Sequence, residues 1–410
     1  MPFSRNPEKH LDVGDFERTI TSSNMSRVAR EEDCMTGRER LHNILNRKPV
    51  DRLSWTTLVD GETMSVMPEP ERSMMPLEFY RRIGCDVMQF GSYGLPGDCR
   101  VPLPARAVWP ESDLARTEQS DGAVVVTNKT RWGTLVSASR NGHPIKPPVQ
   151  TLDDLRVLRR LWEHMHYEEV PEHEERFRRA EALIGDRGMY LPTLDPSPVQ
   201  QLIEMDMGAE SFYYFLQDAP EEMEALLGVM HERRRQEYEI VARRTPAEAV
   251  IPVENTSSTL TSPAIYERYS LPQIRDYCDI MHRRGKKVVL HMCGLLRNLL
   301  PIVRRTGCDG YNATTPPTVG DTTFDAALHI LGDDAVLFGG ILNPGVFQKP
   351  AVTAKEMRAE LDRLYTPRIR RANLLLWLAA DGLATPLERF LWVAEWMGDN
   401  ADLRSSRGAG

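Results

Sequence analysis

Two soft metal ligands one residue apart, His291 and Cys293 in the run His291-Met292-Cys293-Gly294, are the residues of this chain best equipped for chemistry. The preceding Lys287-Val288-Val289-Leu290 is β-rich and a glycine follows, so the pattern predicts a buried strand opening onto a loop. Side chains alternate along a strand, which places His291 and Cys293 on one face with Cα atoms about 7 Å apart. Zinc takes imidazole nitrogen at roughly 2.0 to 2.1 Å and thiolate sulfur at roughly 2.3 Å, so both can reach one ion. The competing reading is a core histidine beside an inert thiol, because free cysteine is among the most buried residue types.

The elements that must position this pair follow from the rest of the pattern. A capping box, Thr36 with Glu39, opens a helix that runs to about Asn46 and stops before Pro49. Eight apolar, β-rich segments come next: Leu53 to Leu58, Asp86 to Gly91, Met189 to Leu194, Val250 to Asn255, Lys287 to Cys293, Gly310 to Thr314, Ala335 to Ile341 and Leu374 to Ala380. Helical stretches follow most of them, among them Pro263 to Arg284, kinked at Pro272 and ended by Gly285, and Leu295 to Thr306, Phe324 to Leu331, Thr353 to Arg370 and Pro386 to Met397. Such alternation predicts an α/β fold, a (β/α)8 TIM barrel. A doubly wound open sheet competes, but no G-x-G-x-x-G follows any strand. The expected organisation is an N-terminal arm over 1–35, one barrel over 36–397 and a tail over 398–410. A long insertion after the second strand, 92–185, must hold its own structure. Within it Val124 to Thr127 and Trp132 to Ser137 read as a hairpin, and Thr151-Leu-Asp-Asp154 opens a charged helix. Leaving from a strand's C-terminal end, the insertion would lie over the barrel mouth, as a lid or docking surface or as decoration.

Barrel active sites form at the C-terminal ends of strands. Glu254 ends the fourth, His291 and Cys293 the fifth, Gly339-Gly340-Ile-Leu-Asn343 the seventh and Asp381 the eighth. Glu254 is a candidate general acid or base or metal ligand, against an ordinary ion-paired carboxylate. Asp195 is a candidate to orient substrate, against a plain Asp-Pro turn. Asp381 is a candidate ligand, against a helix cap before Thr385-Pro386. Gly339 and Gly340 would admit a close ligand, against a tight strand exit, and Asn343 joins them as candidate cofactor contacts. Nothing resembles a nucleophile elbow, a P-loop or a flavin fingerprint.

Composition sets outer bounds. The 410 residues are 41% hydrophobic and 27% charged, ordinary globular values that exclude a disordered or fibrous chain. A net charge of -8 argues against nucleic acid, since neutralising phosphates needs a basic face. Arg233-Arg234-Arg235 sits between acidic and polar neighbours and reads as a mixed-charge helix face. Scattered cysteines without a CxxC pair suit a reducing compartment. Without an apolar leader or a long apolar run, the chain is expected to be cytoplasmic with no membrane partner. The sequence leaves room for a homo-oligomer.

Arg38-Glu-Arg-Leu-His-Asn-Ile-Leu45 with Lys48-Pro49-Val50-Asp51-Arg52, then Gly285 to Gly294, Thr306-Gly-Cys-Asp-Gly310, Gly340-Ile-Leu-Asn-Pro344 and Thr385-Pro386-Leu387-Glu388, resemble the uroporphyrinogen decarboxylase superfamily over roughly 36–397. The resemblance implies a (β/α)8 barrel and either decarboxylation or corrinoid-dependent methyl transfer. Decarboxylases of the family carry Arg-Gln-Ala-Gly-Arg and Phe-Ser-Asp segments for an octa-acid substrate. This chain reads Leu53-Ser-Trp-Thr-Thr-Leu-Val-Asp-Gly61 and Phe90-Gly91-Ser92-Tyr93 instead, and so lacks the cations that such a substrate needs.

The methyltransferase branch holds zinc with His-x-Cys on the fifth strand and a Cys near the end of the eighth. His291 and Cys293 match the first two positions, and Asp381 stands nearest the third. The resemblance thus implies zinc acting as a Lewis acid, and a methyl group passing between a small O-, N- or S-methyl compound, or a thiol or folate acceptor, and a corrinoid. The corrinoid is expected on a partner protein, because no Asp-x-His-x-x-Gly segment occurs here. Two other expectations compete: a decarboxylase of a tetrapyrrole or smaller acid, predicting a cationic cleft, and a non-catalytic barrel serving as a binding subunit.

Overall fold

The computed structural model describes residues 34–401 apart from residue 142. The expected arm over 1–35, save Cys34 and Met35, and the tail beyond residue 401 lie outside the described residues. Strands β1 (Ser54–Leu58) and β2 (Val87–Phe90) open the barrel. The insertion contributes β3 (Ala105–Val108), β4 (Asp113–Glu118), β5 (Ala123–Thr130), β6 (Gly133–Arg140), β7 (His143–Lys146) and β8 (His166–Glu169). The barrel resumes with β9 (Gly188–Leu191), β10 (Thr193–Leu194), β11 (Ala249–Pro252), β12 (Lys287–His291), β13 (Gly310–Asn312), β14 (Val336–Ile341) and β15 (Asn373–Ala379).

All barrel pairings are parallel. Seven strands run in the order β1-β15-β14-β13-β12-β11-β10, and β2 pairs with β9. β9 and β10 are one run interrupted at Pro192, whose carbonyl accepts from Ile251 N–H, and β2 lies beside β1 through an Asp86 N–H to Trp55 carbonyl bond. The wall therefore follows the eight segments read from the sequence, with β9 and β10 together making the third.

Apolar side chains fill the interior of this wall, among them Met88, Ile251, Val289, Val336, Phe338, Leu375 and Trp377. Helix Gly37–Leu45 plugs the N-terminal end. Its predicted capping box is formed, Thr36 and Glu39 each accepting from the other's backbone N–H, and Leu41, Ile44 and Leu45 insert into the interior cluster. Arg40, on the same helix, is buried and pairs with Asp86 and Asp51, while Arg52 and Ser54 also donate to Asp86. The Pro49-Val-Asp-Arg52 segment thus locks the plug to the first two strands. A network at this end serves stability, and barrel active sites form at the other end.

Two outer cores surround the wall. One lies between strands and helices; the other joins the insertion to helix Pro220–Arg244. In the insertion β4-β5-β6-β7 form an antiparallel sheet and β3 pairs with β8. The predicted hairpin is β5 and β6, and the predicted charged helix is Leu152–His164, opened by a Thr151–Asp154 capping box. The expected helix over Leu295 to Thr306 is much shorter, Leu300–Val303, because Asp321 Oδ1 accepts from the N–H groups of Leu296 and Arg297 and holds them in a loop.

Candidate functional site at the open end of the barrel

His291 is the last residue of β12, and its Nδ1 lies 2.6 Å from Asn312 Oδ1 at the end of the neighbouring β13. The Asn312 amide is itself oriented, because its Nδ2 donates to the Phe338 carbonyl at 2.6 Å. Oδ1 can therefore only accept, and His291 must carry its proton on Nδ1. Burial lowers the His291 pKa against the opposing effect of that hydrogen bond, so the ring is neutral and Nε2 is a bare acceptor.

The ring stands in an aromatic layer at the top of the interior. Its centroid lies 5.4 Å from that of Phe90 and 6.1 Å from that of Trp377, and Phe90 and Trp377 are 6.0 Å apart. Met292 turns outward into the core, so His291 and Cys293 share the inner side as alternation predicts. Cys293 is exposed, and its thiol donates to Asn255 Oδ1 at 3.1 Å. Burial among its neighbours and the Glu204 carboxylate both push the thiol pKa up, leaving it protonated.

Glu254 is 1% exposed, and Ser197 donates to it twice at 2.8 Å, from N–H and from Oγ. It ties the β10 exit to the β11 exit, and burial pushes its carboxyl up to about 7. Asp195 is exposed beside Ser197 and takes a hydrogen bond of 3.2 Å from the buried Arg234, which also pairs with Glu237.

Asp381 leaves the end of β15 at the exposed rim, four residues past Trp377, a chain length that would span roughly 13 Å extended. Burial and then the neighbouring Asp60 raise its pKa. Asp60 is held below its ordinary value, because hydrogen bonds from Thr63, Gly382 and Tyr93 outweigh its own burial.

The same positions bear on a metal site built from protein donors. A closed site for zinc needs three or four of them, and among the described residues no three His, Cys, Asp or Glu side chains are grouped to hold a metal ion. The expected set of His291, Cys293 and Asp381 is not assembled: the first two stand at the β12 exit, while Asp381 lies on the rim beside Asp60. The residues present do not fit a three-ligand zinc site.

The expected cofactor contacts have neighbours within the protein. A Cβ on Gly339, at φ 101°, would lie 2.2 Å from Asn312 Nδ2, and one on Gly340 would strike the Phe324 ring at 2.7 Å. Both glycines make room for the protein's own side chains. Asn343 spends its Oδ1 capping helix Pro344–Phe347 through Gly345 N–H.

Sequence reasoning missed Asn312, Asn255, Phe90 and Trp377. A polar amide closing the short apolar segment Gly310-Tyr-Asn312 was the available signal for the first. Cavities of about 460 Å³, walled by His42, Glu181 and Glu248 beside the plug helix, and about 260 Å³, between Trp109, Trp162 and Asp206 in the insertion, do not include these mouth residues.

A family model described as uroporphyrinogen decarboxylase (URO-D) matches residues 144–370, more than half of the chain. No curated protein matches it. Among solved structures, a methyltransferase from Methanosarcina mazei aligns with a TM-score of 0.55 at 16% identity, covering 89% of this chain and 99% of that one. At that identity the likeness is one of fold.

Proposed function

This chain belongs to the uroporphyrinogen decarboxylase family, and we propose that within it the protein is a methyltransferase. It moves a methyl group between a small O-, N- or S-methyl compound, or a thiol or folate acceptor, and a corrinoid carried by a partner protein.

One observation carries this reading over decarboxylation. The three residues directly beyond each barrel strand include carboxylates, at Asp60, Asp195, Glu254 and Asp381, and no lysine or arginine. A substrate with several carboxylates would meet repulsion there in place of the guanidinium forks that such recognition needs. The fold shared with a methyltransferase supports the same choice.

The corrinoid supplies a cobalt that gives or accepts the methyl group. The chain's own residues do the rest. Neutral His291, fixed by Asn312, holds a bare Nε2 that can take the proton of a thiol acceptor. The Phe90 and Trp377 rings form an apolar floor that excludes water beneath the reacting group. Glu254, through Ser197, positions the rim without touching substrate.

The test supplies the full-length protein with a Co(I) corrinoid and methyl ethers, methylamines or thioethers, and follows the corrinoid's visible spectrum. Methylation of cobalt, lost by about 10² or more in His291→Ala, is the expected result. Carbon dioxide release from a tetrapyrrole acid with no corrinoid methylation would overturn the proposal.

A further inference from the structure

The insertion borders a cleft of about 260 Å³ that none of the mouth residues described above lines. Strands β5 and β6 give it Val126 and Leu135, helix Leu152–His164 gives it Leu161 and Trp162, and Trp109 lies just beyond β3. These walls are apolar. The two indole rings meet edge to face, with centroids 5.1 Å apart and planes at 83°, and so form an aromatic corner.

An irregular turn delivers one carboxyl into this setting. After Gln201 the helix widens to π geometry over Leu202–Asp206, with Met207 N–H donating to the Leu202 carbonyl, and the turn ends with Asp206 on the cleft wall. Single π turns of this kind recur at functional sites. Gln201 Nε2 donates to Asp206 Oδ2 at 3.3 Å, and Gln201 is itself oriented because its Oε1 accepts from Arg234. Asp206 Oδ1 has no protein partner among the described residues and is not sealed from solvent, so it is left open to the cleft. Burial pushes the carboxyl up to about 7. A carboxyl desolvated in this way regains its charge most readily beside a cation.

We infer that this cleft is a binding site for a small organic ammonium ion, with the ammonium on Asp206 Oδ1 and the apolar body in the corner between Trp109 and Trp162. Indole faces attract cations, and Trp162 already carries the Arg234 guanidinium 5.8 Å from its ring centroid. That guanidinium does not oppose a ligand cation unscreened, since Glu237 and Asp195 both pair with it. Ser112 and Asn128 on the same wall hydrogen-bond to each other, which leaves Asp206 as the charged group free to meet a ligand. The site is separate from the barrel mouth and does not depend on the methyl-transfer reading.

The experiment measures binding alone. Wild type and Asp206→Asn, both full length, are titrated by calorimetry at about pH 8, where the Asp206 carboxyl is mostly ionised. The probes are benzylammonium, benzyl alcohol, which keeps the shape and loses the charge, and benzoate, which reverses it. Wild type is expected to bind benzylammonium at least about tenfold more tightly than benzyl alcohol, and Asp206→Asn to bind the two within about twofold of each other. If the variant does not fold, the indole N–H resonance of Trp109 in wild type is followed by nuclear magnetic resonance. It should shift at benzylammonium concentrations where benzyl alcohol leaves it in place. Equal wild-type affinity for benzylammonium and benzyl alcohol, a preference that survives Asp206→Asn, or an unmoved Trp109 resonance would each overturn the inference. Tighter binding of benzoate would overturn it too, by showing that Arg234 and not Asp206 sets the charge of the cleft.

Discussion

At the scale of single residues, the site is a chain of fixed orientations: Gly339 makes room for Asn312, Asn312 sets the His291 tautomer, and the tautomer exposes Nε2. Gly339→Ala breaks the first link, since its Cβ would meet the amide and its φ of 101° strains any L side chain. The expected loss is about 2 to 4 kcal/mol in urea unfolding, with activity falling further because His291 loses its partner. Glu254 gives a prediction on pH. Its carboxyl titrates near 7 when folded and near 4.5 in an ordinary setting, so between those values the folded chain holds a proton that the unfolded chain has lost. Stability should therefore fall as pH rises through that window, by up to about 1.4 kcal/mol per unit, and level off above it. Asp206, also pushed up to about 7 by burial, adds a slope of the same sign. Glu254→Gln should flatten its share, and chemical denaturation at several pH values reads this out. His291 and Cys293 were legible because they stand out by type and spacing. Asn312 and Trp377 were not, because an amide and an indole on apolar strands look like core until the neighbouring strands are in place.

The elements themselves were more legible than the side chains. The eight strand segments lie within three residues of the observed strands, since buried parallel strands appear as apolar runs bounded by turn residues. Helix boundaries went astray where a distant residue intervened, as with Asp321 holding Leu296 and Arg297 out of a helix. The plug helix shows how capping and packing rank. Thr36→Ala removes one cap and should cost about 1 kcal/mol. Leu41→Ala empties a fully buried site in the barrel interior and should cost about 2 to 5 kcal/mol. Thermal melts of the two variants check the order, and a larger loss for Thr36→Ala would show that the plug is held by its end.

For the whole molecule, helix Pro220–Arg244 decides how the insertion relates to the barrel. Met223, Leu226, Leu227 and Met230 pack under the insertion, while Tyr238, Val241 and Ala242 pack on the barrel side, with buried Arg234 and Glu237 at or beside the junction. One helix therefore spans both cores, and Tyr167 touches both. The expectation is a single cooperative unfolding transition for insertion and barrel together, coincident by tryptophan fluorescence and far-ultraviolet circular dichroism. Arg234→Ala should lower it by about 3 to 5 kcal/mol, because Glu237 would be left charged and unpaired in the interior. Two separate transitions would instead mark the insertion as an independent unit. The wall carries a further consequence. β2 and β9 pair along their whole length, but β2 meets β1 without a ladder, Thr56 Oγ1 accepting from Met88 N–H. On the other side β9 gives way to β10 at Pro192, which has no N–H to offer. The insertion is threaded between these same two strands, so the pair and its insertion form a panel set between two seams. If the barrel breathes, it breathes there, and a partner leaning on the insertion would be pushing on a door in the wall beside Phe90.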